Sequence, residues 1–160
     1  MPIDHQSNSC TVSFEELLET KGYIVYRTVG YSMLPLLRQK RDIVEIRPKG
    51  AERCRKNDVV LYKRNNNYIL HRILEVCPNG YIIAGDNNTF LERDISDNQI
   101  LGIMRSIVRN GKKINMDSIR YRAYVHIWCD LYPARIFILR TIRRIKAKLH
   151  RIIKMIYKTR

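Results

Sequence analysis

The chain has 160 residues, 45% of them hydrophobic, which suits one domain with its own core and leaves a second full domain crowded. Against 15 Asp and Glu stand 30 Lys and Arg, a formal charge of +15. Ten of those bases and no acid fall in the last thirty residues, so the tail points to an anionic partner, a membrane surface or a nucleic acid.

The N-terminal ten residues, "MPIDHQSNSC", are polar and lack the apolar run of a signal peptide. Ser13 then opens "SFEELLETKG", with Glu16 placed for a capping box and Gly22 as a stop, which predicts a short helix. Beyond Gly22 the period changes to that of strands. "YIVYRTVG" is β-branched and aromatic, "DIVEIRP" alternates and ends at a proline, and "DVVLYKR" repeats the signal. The "NNN" at 65–67 marks a turn, "YILHRILEV" a strand, "PNG" at 78–80 a hairpin turn, and "YIIAG" a strand running into "GDNN". "ILGIMRSIVRNGKKI" holds one or two strands around Asn110-Gly111. Short strands with turn signals about every ten residues predict a mainly β, antiparallel, barrel-like domain over about residues 22–115. Residues 1–21 form a polar N-terminus and short helix, and 116–160 a basic helical extension.

In that extension Ile138, Ile142, Ile145, Leu149, Ile152 and Ile156 recur at alternating steps of four and three, with Arg and Lys on the other faces. This is a basic amphipathic helix. Residues 135–160 can lie on an anionic membrane, pack on the domain or a second helix, or bind nucleic acid, the least favoured of these. No window offers the roughly 18 uninterrupted apolar residues of a spanning helix, so the expected location is membrane-associated or cytoplasmic. Cys10, Cys54, Cys77 and Cys129 show neither Cys-x-x-Cys nor zinc-finger spacing and read as free thiols in a reducing compartment. No cofactor and no metal are expected.

Three polar residues sit in apolar company at strand ends: Ser32 in "GYSMLP", His71 in "YILHRILEV" and Asp86 in "AGDNN". A serine hydroxyl becomes a useful nucleophile only with a base within hydrogen-bond reach, and the base gains from a group that orients it. Serine, histidine and a carboxylate supply those roles. Each also has an ordinary structural reading: a proline turn, a packed strand histidine, an Asx turn.

The order of motifs resembles the signal peptidase family of membrane-bound serine peptidases and its wider group. "SMLP" at 32–35 resembles the nucleophile box, "NDVVLYKR" at 57–64 the following strand box, and "LHRILEV" at 70–76 the general-base box. "GDNN" at 85–88 resembles the Gly-Asp-x-Asn box, and "QILGIM" at 99–104 the closing strand. The resemblance spans about residues 28–105. His71, standing before Arg72 where the common bacterial enzymes carry Lys, resembles the endoplasmic-reticulum and archaeal subtype. The resemblance implies a serine endopeptidase that cleaves signal or leader peptides after small residues, with peptide or preprotein as substrate. Ser32 would attack, His71 would serve as base, and Asp86 is the mapped acid, with Asp94 and Glu92 as alternative acids. Lys63 is a minor alternative base.

Family members usually carry a membrane anchor directly before the serine box, where this chain has a polar start and a short helix. That departure suggests a dedicated peptide substrate. The alternative from a different class is a catalytically inactive peptidase-like barrel that binds lipid or nucleic acid through its basic tail.

Overall fold

The structure, a computed structural model, describes residues 12–116 and 118–158. Helix α1 covers Phe14–Lys21. Ser13 caps it, its Oγ accepting from the Glu16 N–H at 3.1 Å, and Gly22 ends it in the left-handed region at φ 71°. Eight strands follow: β1 (Ile24–Arg27), β2 (Asp42–Pro48), β3 (Val59–Arg64), β4 (Asn67–Cys77), β5 (Gly80–Ala84), β6 (Glu92–Ile95), β7 (Ile100–Arg109) and β8 (Lys112–Asn115). Asn65 and Asn66 make the β3–β4 turn with positive φ, and Asn110-Gly111 does the same between β7 and β8. The sequence signals placed most of these elements. They missed the four-residue β6 and extended β1 too far, because the chain leaves the sheet after Arg27 to form the Ser32 turn.

All pairings are antiparallel, and the sheet runs β1-β2-β7-β3-β4-β5-β6, with β8 added beside β7. The expected barrel does not close. β1 and β6, each four residues long, stand at the two ends of the hydrogen-bonded path. Hairpin spacing in a sequence sets which neighbours pair, and it carries no information on whether the last strand meets the first.

β3 is the spine. Val59, Val60, Leu61 and Tyr62 are all buried, and their alternation feeds two cores. Val59 and Leu61 join Leu18, Ile24, Met33, Leu37 and Ile107. Val60 and Tyr62 join Ile73, Tyr81, Ile83, Ile95 and Ile103. Helix α2 (Ile119–Tyr124), a six-residue π-helical segment (Val125–Asp130) and helix α3 (Tyr132–Lys158) complete the chain. Helical structure therefore begins before the amphipathic tail. Among the described cysteines, Cys54, Cys77 and Cys129 are free thiols; Cys10 lies outside the described residues. No helix among the described residues is long and apolar enough to cross a membrane.

Asp42 anchors the turn that carries Ser32. Its carboxylate accepts from the Arg38 backbone N–H at 2.8 Å, from Arg41 at 2.8 Å and from Arg109 Nε at 2.9 Å. Arg109 also reaches the Leu36 carbonyl at 2.6 Å. Burial alone would raise the Asp42 carboxyl, but Arg41, Arg109 and the Arg38 N–H outweigh it and hold it well below the usual carboxylate range. A depressed folded-state value contributes stability that is complete above the ordinary value of 3.8 and is lost as pH falls below it. Urea midpoints measured between about pH 6 and pH 2 should fall for the native chain. Asp42→Asn should start lower at neutral pH and show a shallower acid limb.

Candidate functional site

Ser32 lies in a turn between β1 and β2 that begins at Gly30, whose φ is 90°. Leu34 N–H donates to the Tyr31 carbonyl at 3.2 Å and Leu37 N–H to the Met33 carbonyl at 2.8 Å. Met33 and Leu37 are driven into the first core, which leaves Ser32 half-buried at its edge. The "GDNN" loop docks directly on this turn. Asn87 N–H donates to the Ser32 carbonyl at 2.7 Å, and Asn87 Nδ2 to the Tyr31 carbonyl at 3.1 Å.

Gly85 marks where the two halves meet. A Cβ on Gly85 would lie 2.6 Å from the Ser32 carbonyl oxygen and 3.0 Å from His71 Nε2. The serine turn and the imidazole thus converge on a space that only a glycine leaves open. Among the described residues the Ser32 hydroxyl makes no hydrogen bond to His71, so the two are brought together without being joined.

His71 is 5% exposed, on the part of β4 that precedes its pairing with β5. Its Nδ1 lies 2.9 Å from Glu92 Oε1 and 3.2 Å from the Tyr62 hydroxyl, which itself donates to Glu92 Oε2 at 2.7 Å. Arg64 also pairs with Glu92. A carboxylate can only accept, so Nδ1 carries the hydrogen and Nε2 presents its lone pair toward Gly85 and Ser32. Burial lowers the His71 pKa below its ordinary value, and the Glu92 charge opposes but does not cancel that shift. The imidazole is therefore neutral at pH 7 and ready to accept a proton. Burial, reinforced by Glu92, pushes the Tyr62 phenol far above its normal range, so it stays a donor.

Asp86, the mapped acid, is engaged elsewhere. It is fully buried and forms a two-pronged ion pair with the equally buried Arg72, Nε to Oδ1 at 2.9 Å and Nη2 to Oδ2 at 2.8 Å. Tyr124 donates to Oδ2 at 2.7 Å, and Trp128 Nε1 to the Asp86 carbonyl at 2.9 Å. The carboxylate against His71 is Glu92, one of the two alternatives. The other, Asp94, is exposed in a left-handed conformation at φ 58°. The pairing of β6 with β5, Glu92 opposite Ile83, carries Glu92 to the imidazole; the sequence signals placed no strand there, and Glu92 entered only as an alternative acid from the motif resemblance. Lys63, the minor alternative base, is engaged elsewhere. Its Nζ pairs with Glu15 of α1 at 2.7 Å, and that hydrogen bond raises its pKa, keeping it protonated.

A groove of about 430 Å³ runs from Ser32 along the unpaired edge of β1 and the start of β4, which is paired only to β3 there. Tyr26, Thr28, Val29 and Leu70 line it, and Phe14 of α1 closes one side, its ring 4.7 Å from that of Tyr68. Two free backbone edges beside an apolar floor suit an extended peptide. Among the described residues no group of three or more His, Cys, Asp or Glu side chains is placed to hold a metal ion. No protein-family model matches the chain, and no curated protein matches it.

Asp86→Asn should behave as a folding defect, because it strands a buried guanidinium. The expected loss is about 3–5 kcal/mol, read from urea unfolding. The paired change Arg72→Met with Asp86→Leu should lose less than Asp86→Asn alone.

Proposed function

We propose that the chain is a serine endopeptidase of the signal peptidase type, with Ser32 as nucleophile, His71 as general base and Glu92 as the residue that orients it. The observation that carries this reading is the convergence of the Ser32 turn and His71 Nε2 on Gly85, with Nδ1 held by Glu92. A peptide lying in the groove as an added strand presents its carbonyl to Ser32. The hydroxyl attacks the carbonyl carbon as its proton passes to His71 Nε2, and the Ser32 backbone N–H, which has no partner among the described residues, faces the developing oxyanion. His71 then protonates the leaving amine. Water, deprotonated by the same imidazole, hydrolyses the acyl-serine. A histidine base with a lowered pKa needs no further desolvation to work near neutral pH. The substrates are leader-type peptides with small residues before the cut, as the motif resemblance implies.

Cleavage of peptides carrying Ala-x-Ala sites, followed by mass spectrometry, tests the assignment. The native chain should cut; Ser32→Ala should lose activity at an unchanged urea midpoint, and His71→Ala should lose activity with a lowered midpoint, because it removes a buried side chain hydrogen-bonded to Glu92. Full activity in Ser32→Ala would end this reading. The rate should rise with pH through a limb below 6.5, the ordinary histidine value. Glu92→Gln should reduce kcat by about 10²–10⁴-fold and move that limb lower, since the charge that favours the imidazolium is gone. Asp94→Asn should leave both unchanged.

A further inference from the structure

Helix α3 presents three faces, and the domain uses only one of them. Tyr132, Arg135, Leu139 and Arg143 follow one another at helical spacing on the docked side. Leu139 is buried, and so is Arg135, whose guanidinium stacks 4.5 Å over the Tyr132 ring. Arg143 donates to the Asn87 carbonyl at 2.8 Å and to Thr89 Oγ1 at 3.2 Å. The isoleucine stripe lies on a different face. Ile138, Ile142, Ile145 and Leu149 are 45%, 42%, 60% and 56% exposed, and every side chain from Ile142 to Leu149 is exposed. These four residues of the stripe are not a core face of this domain, so packing on the domain, one of the expected readings, does not occur there; the side chains of Ile152 and Ile156 lie outside the described residues.

We propose that this free face docks the protein on an anionic lipid surface, with α3 lying in the interface plane. Charge complementarity selects the partner. Beyond Asp130 the chain has ten Lys and Arg and no acid, so nothing within the helix neutralises it. The arrangement is that of an interfacial helix. At 3.6 residues per turn, Lys146 and Lys148 fall about 80° to either side of the stripe, where long side chains reach headgroups while the isoleucines enter the acyl boundary. A coiled-coil partner for so uniformly basic a helix would itself have to be acidic, and a second copy of this chain would repel it. For DNA, the exposed isoleucines would face water without a role. The helix that carries the stripe also holds Asn87 and Thr89, and Asn87 holds Ser32. A lipid-docked α3 therefore keeps the Ser32 turn at a fixed place relative to the surface. Lipid docking is independent of the peptidase reading, since it uses none of Ser32, His71 or Glu92.

Co-sedimentation of the full chain with phosphatidylcholine vesicles, with and without phosphatidylglycerol, tests the proposal. Binding is expected to the anionic vesicles, to weaken with salt, and to be slight on phosphatidylcholine alone. The double change Ile142→Glu with Ile145→Glu should weaken binding at least tenfold at an unchanged urea midpoint, because both positions are exposed. Lys146→Gln and Lys148→Gln should each weaken it about fivefold at low salt. Three results would overturn the idea: no binding to anionic vesicles, equal binding by the double glutamate variant, or a dimer in sedimentation velocity that the glutamates abolish while vesicle binding stays intact. Tight, salt-sensitive binding to duplex DNA without vesicle binding would overturn it in favour of a nucleic-acid partner.

Discussion

Arg72 and Asp86 face each other with no access to solvent, and three parts of the chain meet at that pair. Arg72 belongs to β4 and also donates to the Asn57 carbonyl at 2.8 Å and to the Tyr121 hydroxyl at 3.1 Å. Asp86 belongs to the loop that touches Ser32. Tyr121, Tyr124 and Trp128 come from the C-terminal helices. Two buried charges are tolerated only when paired in good geometry with their remaining donors and acceptors filled. Here the fork of the guanidinium meets both carboxylate oxygens, and the tyrosine rings of 121 and 124 stack within about 6 Å of it. Such a pair adds little net stability over an apolar core. What it does is permit one relative placement of strand, loop and helix, since any other leaves a charge bare.

The candidate site uses the same strand from its other side. Consecutive residues on a strand point to opposite faces, so His71 turns toward Ser32 and Glu92 while Arg72 turns toward Asp86. The two acids are divided accordingly. One is consumed by an ion pair that fixes the loop, and the other is left to a neutral histidine whose second nitrogen is free. Gly85 stands between the two systems. It is the residue at which the loop fixed by Asp86 comes into contact with the histidine held by Glu92, and its missing side chain is what lets Ser32 approach.

The C-terminal helix adds a free apolar face to the same scaffold. Its docked row is short and mixed, an arginine, a leucine and a tyrosine, and its most regular apolar row is left outside. A helix whose best hydrophobic face is not used by its own domain carries an unburied surface that another apolar phase can cover. The surrounding positive charge limits that phase to an anionic one.

The sequence by itself determined the elements whose signals are local. Ser13, Glu16 and Gly22 mark both ends of α1. The asparagine and glycine turns at 65–67, 78–80 and 110–111 place five hairpin strands, β3, β4, β5, β7 and β8. The alternation of "DIVEIRP" gives β2 to the residue, and the four-three spacing of isoleucines gives the amphipathic tail. Ser32 and His71 stood out because a hydroxyl and an imidazole at apolar strand ends are unusual. Long-range facts were decided only in three dimensions. Whether β1 meets β6 depends on the accumulated twist and length of seven strands, which no single stretch encodes. Which acid serves His71 depends on the register of β4, β5 and β6. Glu92 lies 21 residues from His71, and its claim rests on those two pairings, while the nearer and better-placed motif residue, Asp86, was taken by an arginine on the opposite face of the strand. Local chemistry is written in short runs of sequence; which of two carboxylates meets the imidazole is settled by strand register, which sets Glu92 against His71 and turns Asp86 to the arginine on the other face.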